Sequence, residues 1–293
     1  MKYAKYLLIL IIPMLLIFAC DKIKEPYMKQ DGGTVDTVAC PVPTFPVNQN
    51  QIKKCLIEDY TGHKCVNCPE AAAIARDLKD THGDSIVLMA IHSGFFAEPE
   101  SGNFSLDLRN TTGDELHDYF GITNNPAGMF NRKNIGGSTI FEATSSWHAE
   151  VTEVLAMAPE LDIQIIAYFS ESTRKLCTHV QTEYLVNTNR NLKIAIYITQ
   201  DSIYGYQKNN NSSYGSVPDI TNYTFMHVLR GSVNGTWGAI LSTGAVTAGT
   251  KKIVSYKTFL DPAWEDDLCN IVAVVYDSDT YEIVQVQEAK FTE

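Results

Sequence analysis

The chain has 293 residues, of which 45% are hydrophobic and 19% charged. That composition suits folded globular structure and is long enough for about two domains. Asp and Glu number 34 against 23 Lys and Arg, a formal net charge of −11, which excludes the basic footprint of a nucleic-acid binder and offers no attraction to anionic headgroups.

Lys2 and Lys5 precede an apolar run from Tyr6 to Phe18, broken only by Pro13. This is shorter than the roughly 20 apolar residues of a membrane-spanning helix and reads as a secretory signal over residues 1–19. Cys20 follows Leu16-Ile17-Phe18-Ala19, and a small residue directly before a cysteine resembles the lipobox of bacterial lipoproteins. The resemblance implies lipidation of Cys20 and a mature chain that starts there, held to a membrane by acyl chains. Loss of Lys2 and Lys5 with the signal takes the charge from −11 to −13. Asp21-Lys22-Ile23-Lys24-Glu25 fits two addresses, inner-membrane retention by an aspartate after the cysteine, or export to the cell surface by a short charged stretch. Residues 20–50 carry Pro26, Pro41, Pro43, Pro46 and Gly32-Gly33 without apolar periodicity, the mark of an extended tether.

Beyond Cys20 there are six cysteines, an even number that suits an oxidising, exported setting. Cys65 and Cys68 form the obvious pair. Cys40 with Cys55, and Cys177 with Cys269, are the domain-wise alternatives, and spacing does not choose the connectivity.

Residues 51–159 alternate strand and helix signals. Cys55 to Tyr60 reads as a buried strand. After Cys65-Val66-Asn67-Cys68, the stretch from Pro69 predicts an amphipathic helix with Ala71, Ile74, Ala75 and Leu78 on its apolar side. A turn at Thr81-His82-Gly83-Asp84 leads into Ser85–His92, a nearly unbroken apolar run expected to be a strand buried on both faces. A polar stretch from Ser93 to Arg109 follows, then a short helix over Asp114–Phe120 and a strand over Ala127–Phe130. Gly136-Gly137 turns the chain back through Ser138–Phe141. A last helix, opened by Ser145 or Ser146, runs through Trp147, Val151, Val154 and Leu155 and ends before Pro159.

Two thiols at a helix N-terminus can close a disulfide, and the positive end of the helix favours thiolate on the outer one. The order of elements around the C-x-x-C resembles the thioredoxin fold over roughly 105 residues. The resemblance implies that Cys65 is the accessible nucleophile, that Cys68 resolves the mixed disulfide, and that Asp59 exchanges protons with Cys68. Tyr119-Phe120-Gly121-Ile122-Thr123-Asn124-Asn125-Pro126 resembles the segment that carries the cis-proline of that fold. Pro126 would then lie beside the disulfide, with backbone groups of Asn125 free to pair with a bound peptide. Lys64 stands where such enzymes commonly have tryptophan, and it should favour thiolate on Cys65 modestly. The Ser93–Arg109 stretch leaves the carboxyl end of a central strand and is a candidate partner loop.

From residue 160 onward the apolar period changes to two. Alternation in Leu161–Ile165, Lys175–Val186, Leu192–Thr199, Lys251–Phe259, Ile271–Tyr276 and Ile283–Ala289 predicts about seven strands in an immunoglobulin-like antiparallel sandwich over residues 160–293. Asn209-Asn210-Asn211-Ser212-Ser213 reads as a long polar connection. His227 and Arg230 read as a strand or edge feature rather than a site.

Leu56-Ile57-Glu58-Asp59-Tyr60-Thr61-Gly62-His63-Lys64-Cys65-Val66-Asn67-Cys68-Pro69, the signal, the tether and Tyr223–Arg230 together resemble the Omp-twenty-eight-related outer-membrane lipoproteins of Bacteroidetes. The resemblance covers nearly the whole chain and implies a lipid-anchored outer-membrane protein with a thioredoxin-like domain; no cofactor is expected. Two functions stay open, thiol–disulfide exchange with envelope protein thiols, or a surface binding or adhesion protein in which Cys65–Cys68 is a structural staple. Zinc is the weaker third, because one C-x-x-C lacks a second ligand pair and His63, His82 and His92 show no ligand spacing.

Overall fold

Seven consecutive buried residues make Cys55–Thr61 strand β1, the element from which the rest of the architecture is laid out. The computed structural model describes residues 40–291. Strand β2 (Ile86–His92) runs parallel to β1 in a register that sets Asp59 against Ala90, and β3 (Ala127–Phe130) runs antiparallel on the other side with Gly128 against Asp59. Both faces of this sheet are covered, which is why β1 and β2 are apolar without alternation.

Helix α1 (Cys68–His82) carries Pro69 in its first turn, where a missing N–H costs nothing, and closes at Gly83 with φ 55°. Its buried residues Ala71, Ala75 and Leu78 pack with Trp147, Val151 and Val154 of α3 (Trp147–Leu155) against Cys55, Ile57, Ile86 and Leu88. The opposite face carries Leu56, Tyr60, Val87, Met89 and Ile91, covered by Leu116 of α2 (Thr111–Phe120) and by Ile122. Helix α2 starts three residues before the expected Asp114. Asn110 caps it by accepting from the Gly113 N–H at 3.0 Å, while its Nδ2 donates to the Leu229 carbonyl at 2.7 Å. The segment after Gly136-Gly137 returns only through isolated bridges, Gly128 with Phe141 and Ile135 with Ser138.

Ten strands follow: β4 (Leu161–Ser170), β5 (Lys175–Tyr184), β6 (Leu192–Gln200), β7 (Ile203–Lys208), β8 (Asp219–Phe225), β9 (Val228–Ser232), β10 (Ala239–Ser242), β11 (Lys251–Phe259), β12 (Cys269–Asp277) and β13 (Ile283–Ala289). The fold is therefore mixed α/β, rich in strands and poor in helices. A large sheet has the order β13-β12-β6-β9-β2-β1-β3, with β10 paired to β6, and a three-stranded sheet has the order β11-β5-β4. Ile194, Ile196, Ile198, Ile271, Ala273 and Val275 of the large sheet pack against Leu161, Ile163, Leu176, Val180 and Tyr184 of the small one. Strands β7 and β8 pair only with each other.

The large sheet continues across the expected boundary at residues 159/160. Strand β9 joins β2 through the Ala90–Val228 pair, and the Ala90 N–H donates to the His227 carbonyl at 2.9 Å. A buried ion pair lies on the face of β1. Arg132 gives Nε and Nη2 to the two Glu58 carboxylate oxygens at 2.9 and 2.7 Å, with both side chains at most 1% exposed. Its guanidinium also lies over the rings of Phe120 and Tyr276, so β1, α2 and β12 meet on one charge.

The disulfides correct the domain-wise alternatives. Cys40 pairs with Cys177, their Cα atoms 5.6 Å apart, and Cys55 and Cys269 are buried free thiols. Cys55 is held in the α1 core and Cys269 in the core between the two sheets, so neither can leave its cluster to reach the expected partner. The described end of the tether segment, residues 40–50, is fastened as well. Cys40 is buried, and Asn48 donates to Asp162 at 2.7 Å. The signal and Cys20 lie outside the described residues.

Candidate functional site

Strand β1 ends at Thr61, and the chain then makes a tight passage through Gly62 into α1. A Cβ on Gly62 would run into the carbonyl of Phe96, so only glycine lets these two backbones approach. The Lys64 N–H donates to that same carbonyl at 3.0 Å. The Ser93–Arg109 loop thus braces the entry to the C-x-x-C. Cys65 and Cys68 are joined as a disulfide at the N-terminus of α1, with Cα atoms 5.4 Å apart.

The arrangement departs from the expected accessible nucleophile. Cys65 and Cys68 are each 2% exposed. The cover comes from β7 and the turn beyond it. Gln207 Nε2 donates to the Cys65 carbonyl at 2.9 Å and to the Gly62 carbonyl at 3.4 Å. The Lys208 N–H donates to the His63 carbonyl at 2.8 Å, and the Asn210 N–H to the Val66 carbonyl at 3.3 Å. Asn210 Nδ2 also reaches Asn67 Oδ1 at 2.7 Å. Lys64 does not lend Cys65 an unbalanced charge. Its Nζ pairs with Glu100 at 2.9 Å and lies over the Phe95 ring, and the contact holds the Glu100 carboxyl below the usual range.

Behind the disulfide a cavity of about 40 Å³ lies between α1, β1, β2 and the β7–β8 hairpin. Its walls include Cys68, Asp59, His92, Gln207, Tyr223 and His227. A space of that size holds a small number of waters. Asp59 Oδ1 and both ring nitrogens of His92 are buried there without a hydrogen-bond partner. Burial raises the Asp59 carboxyl to about 7, because the charged form loses its water and gains no compensating donor. Burial likewise pushes the His92 imidazole down to about 3. His227 is held below its ordinary value by burial, against the pull of Asp201, whose Oδ1 lies 3.2 Å from its Nδ1.

Asn125 and Pro126 come to the same end of the sheet. Their peptide bond is cis, Pro126 directly precedes β3, and Ala127 pairs with Tyr60. Asn125 Nδ2 donates to the Ser93 carbonyl at 3.4 Å. The structure therefore gathers Asp59, Cys65, Cys68, Asn125 and Pro126 around the carboxyl end of β1. His92, His227 and Gln207 join them without an expectation from the sequence. His92 was legible only as the last residue of an apolar strand, and His227 as an edge feature. Arg230 stays apart from this cluster, over the Trp264 ring. Among the described residues no three His, Cys, Asp or Glu side chains converge as metal ligands.

No curated protein matches the chain. Among solved structures, a domain of the outer membrane lipoprotein Omp28 from Porphyromonas gingivalis is 23% identical, with a TM-score of 0.32; the match covers 45% of this chain and 88% of that one. A structural-genomics target protein from Agrobacterium tumefaciens is 9% identical with a TM-score of 0.49, over 82% of this chain and 95% of that one. The family described as outer membrane protein Omp28 matches residues 113–293, more than half of the sequence. The chain belongs to the Omp28 family of outer membrane proteins.

Proposed function

We propose that this outer-membrane protein is a lipoprotein, anchored through acylated Cys20, whose thioredoxin-like part exchanges disulfides with envelope proteins at Cys65 and Cys68. The observation that carries the reading is the shared cavity of Cys68 and Asp59. A buried carboxyl without a partner on Oδ1 is a cost to stability, and a structural staple has no use for it. A carboxyl raised by burial to about 7, lining the same cavity as the inner cysteine, suits proton transfer near neutrality.

In the reducing direction the Cys65 thiolate attacks a partner disulfide, forming a Cys65–partner bond and releasing one partner thiolate. The Cys68 thiol passes its proton to Asp59 and attacks Cys65 Sγ. The Cys65–Cys68 bond forms, the second partner thiolate leaves, and two electrons have moved to the partner. The same steps reversed oxidise a partner dithiol. In this reading Pro126 positions the partner peptide and the backbone of Asn125 pairs with it. Residues 51–159 are, in the same reading, the thioredoxin-like part and residues 160–293 the immunoglobulin-like sandwich, the two sharing one large sheet, with 1–19 the signal and 20–50 the tether, fastened to the fold from Cys40 onward.

A second reading, a binding or adhesion protein with a structural Cys65–Cys68 staple, draws support from the 2% exposure of both cysteines. Trapping separates the two. Cys68→Ser, expressed in the envelope, is expected to accumulate mixed disulfides through Cys65 that disappear on reduction. Absence of any such adduct, with the variant folded and at the membrane, favours the staple.

A further inference from the structure

The cover over the disulfide is held by hydrogen bonds to main-chain carbonyls of the loop that carries the cysteines. The carbonyls of Gly62, His63, Cys65 and Val66 all accept hydrogen bonds from residues 207–210, those of Gly62 and Cys65 in addition to the Cys65 and Cys68 N–H groups of the loop itself. The donors on His63 and Val66 are main-chain N–H groups of Lys208, the last residue of β7, and Asn210, in the turn beyond it. The His63 and Val66 acceptors are met by N–H groups that any polypeptide carries, and the Gly62 and Cys65 acceptors by the side-chain amide of Gln207.

The covering hairpin is also the least embedded β element near the site. Strands β7 and β8 pair with no other strand, and most of their residues are half-buried or exposed. By contrast, β12 is buried at every position but its last. Elements with few buried apolar contacts open at lower cost than those in the core. Residues 207–210, Gln-Lys-Asn-Asn, contain no sulfur, so they fill the site without reacting.

We infer that Gly62–Val66 is a polypeptide-binding rim, that Gln207–Asn210 is its removable built-in occupant, and that a partner reaches Cys65 as a polypeptide segment taking that place. The sulfur chemistry rests on the exchange reading above; the rim and its occupant do not. A partner segment would set its own N–H groups on the His63 and Val66 carbonyls, which brings its side chains alongside Cys65.

The test uses the full oxidised chain and dithiothreitol as probe. Opening of Cys65–Cys68 is followed by alkylation and peptide mass spectrometry in wild type, Gln207→Ala and Gln207→Ala/Asn210→Ala, with Cys40–Cys177 as internal control. The double variant is expected to open Cys65–Cys68 at least about tenfold faster, with Cys40–Cys177 unchanged. A synthetic peptide of the Tyr204–Asn211 sequence, added in trans, is expected to restore protection. Equal rates in folded variants overturn the proposal, and so does a gain shared equally by both disulfides. Should the variants fail to fold, amide exchange in wild type decides: Lys208 and Asn210 are expected to exchange well before the amides of β12, and equal protection overturns the proposal. Fast opening without transfer to any protein disulfide leaves the rim standing and removes the exchange reading.

Discussion

Gln207 donates its side-chain amide to the carbonyl of Cys65 at 2.9 Å across a sequence separation of 142 residues. The chain thus closes its Cys65–Cys68 corner with a segment from its own second half. Chemistry and access are set by different parts of the sequence, and they can be tested separately.

The Asp59–His92 pair makes a distinctive prediction for stability against pH. Asp59 is raised to about 7 in the folded state, so the folded protein binds its proton more tightly than the unfolded chain, and stability falls as pH rises from about 4 to 7. His92 is lowered to about 3, so stability falls as pH drops below about 6.5. Between about 4 and 6.5 the two slopes oppose each other. Asp59→Asn is expected to stabilise the oxidised protein above pH 7, by up to roughly 4 kcal/mol, and to expose the His92 slope at acid pH. Urea denaturation of both proteins at pH 5 and 8 checks this; equal stabilities at pH 8 contradict it.

The Glu58–Arg132 pair carries the next prediction. Removing one partner leaves the other charge buried without compensation, which costs about 3–5 kcal/mol. Arg132→Met is therefore expected to destabilise severely. Glu58→Gln/Arg132→Met should recover part of the loss, because it removes both charges. Chemical denaturation of the two variants measures the difference.

Cys40–Cys177 closes a loop with a sequence separation of 137. In the chain-entropy account such a link stabilises by up to about 5 kcal/mol. Cys40→Ser/Cys177→Ser is expected to lower the melting temperature while leaving the reactivity of Cys65–Cys68 unchanged. A change in that reactivity would mean that the two disulfides are coupled.

Local pattern carried much of the first half. The apolar run of β2, Pro69 and the small residues of α1, and Asn125-Pro126 before β3 all state their element within a few residues. The cover over Cys65 was not legible, because alternation reports which face of a strand is buried and not what buries it. Lys64 was misleading for the same reason. Its charge looked free until Glu100, 36 residues on, closed over it. Cys177 finds Cys40 rather than Cys269 because core packing holds Cys269 in place, and no spacing rule encodes that. His92 and His227 converge on Asp59 only after β9 docks beside β2.

The central claim is that Cys65 and Cys68 exchange disulfides with Asp59 as the proton partner of Cys68. The direct measurement is the rate at which the reduced full chain opens a protein disulfide, followed from pH 5 to 9 for wild type, Cys65→Ser and Asp59→Asn. The account expects turnover in wild type, none in Cys65→Ser, and a loss of about tenfold to a hundredfold near neutrality in Asp59→Asn. Wild type as inert as Cys65→Ser at every pH, even after Gln207→Ala loosens the cover, would contradict it.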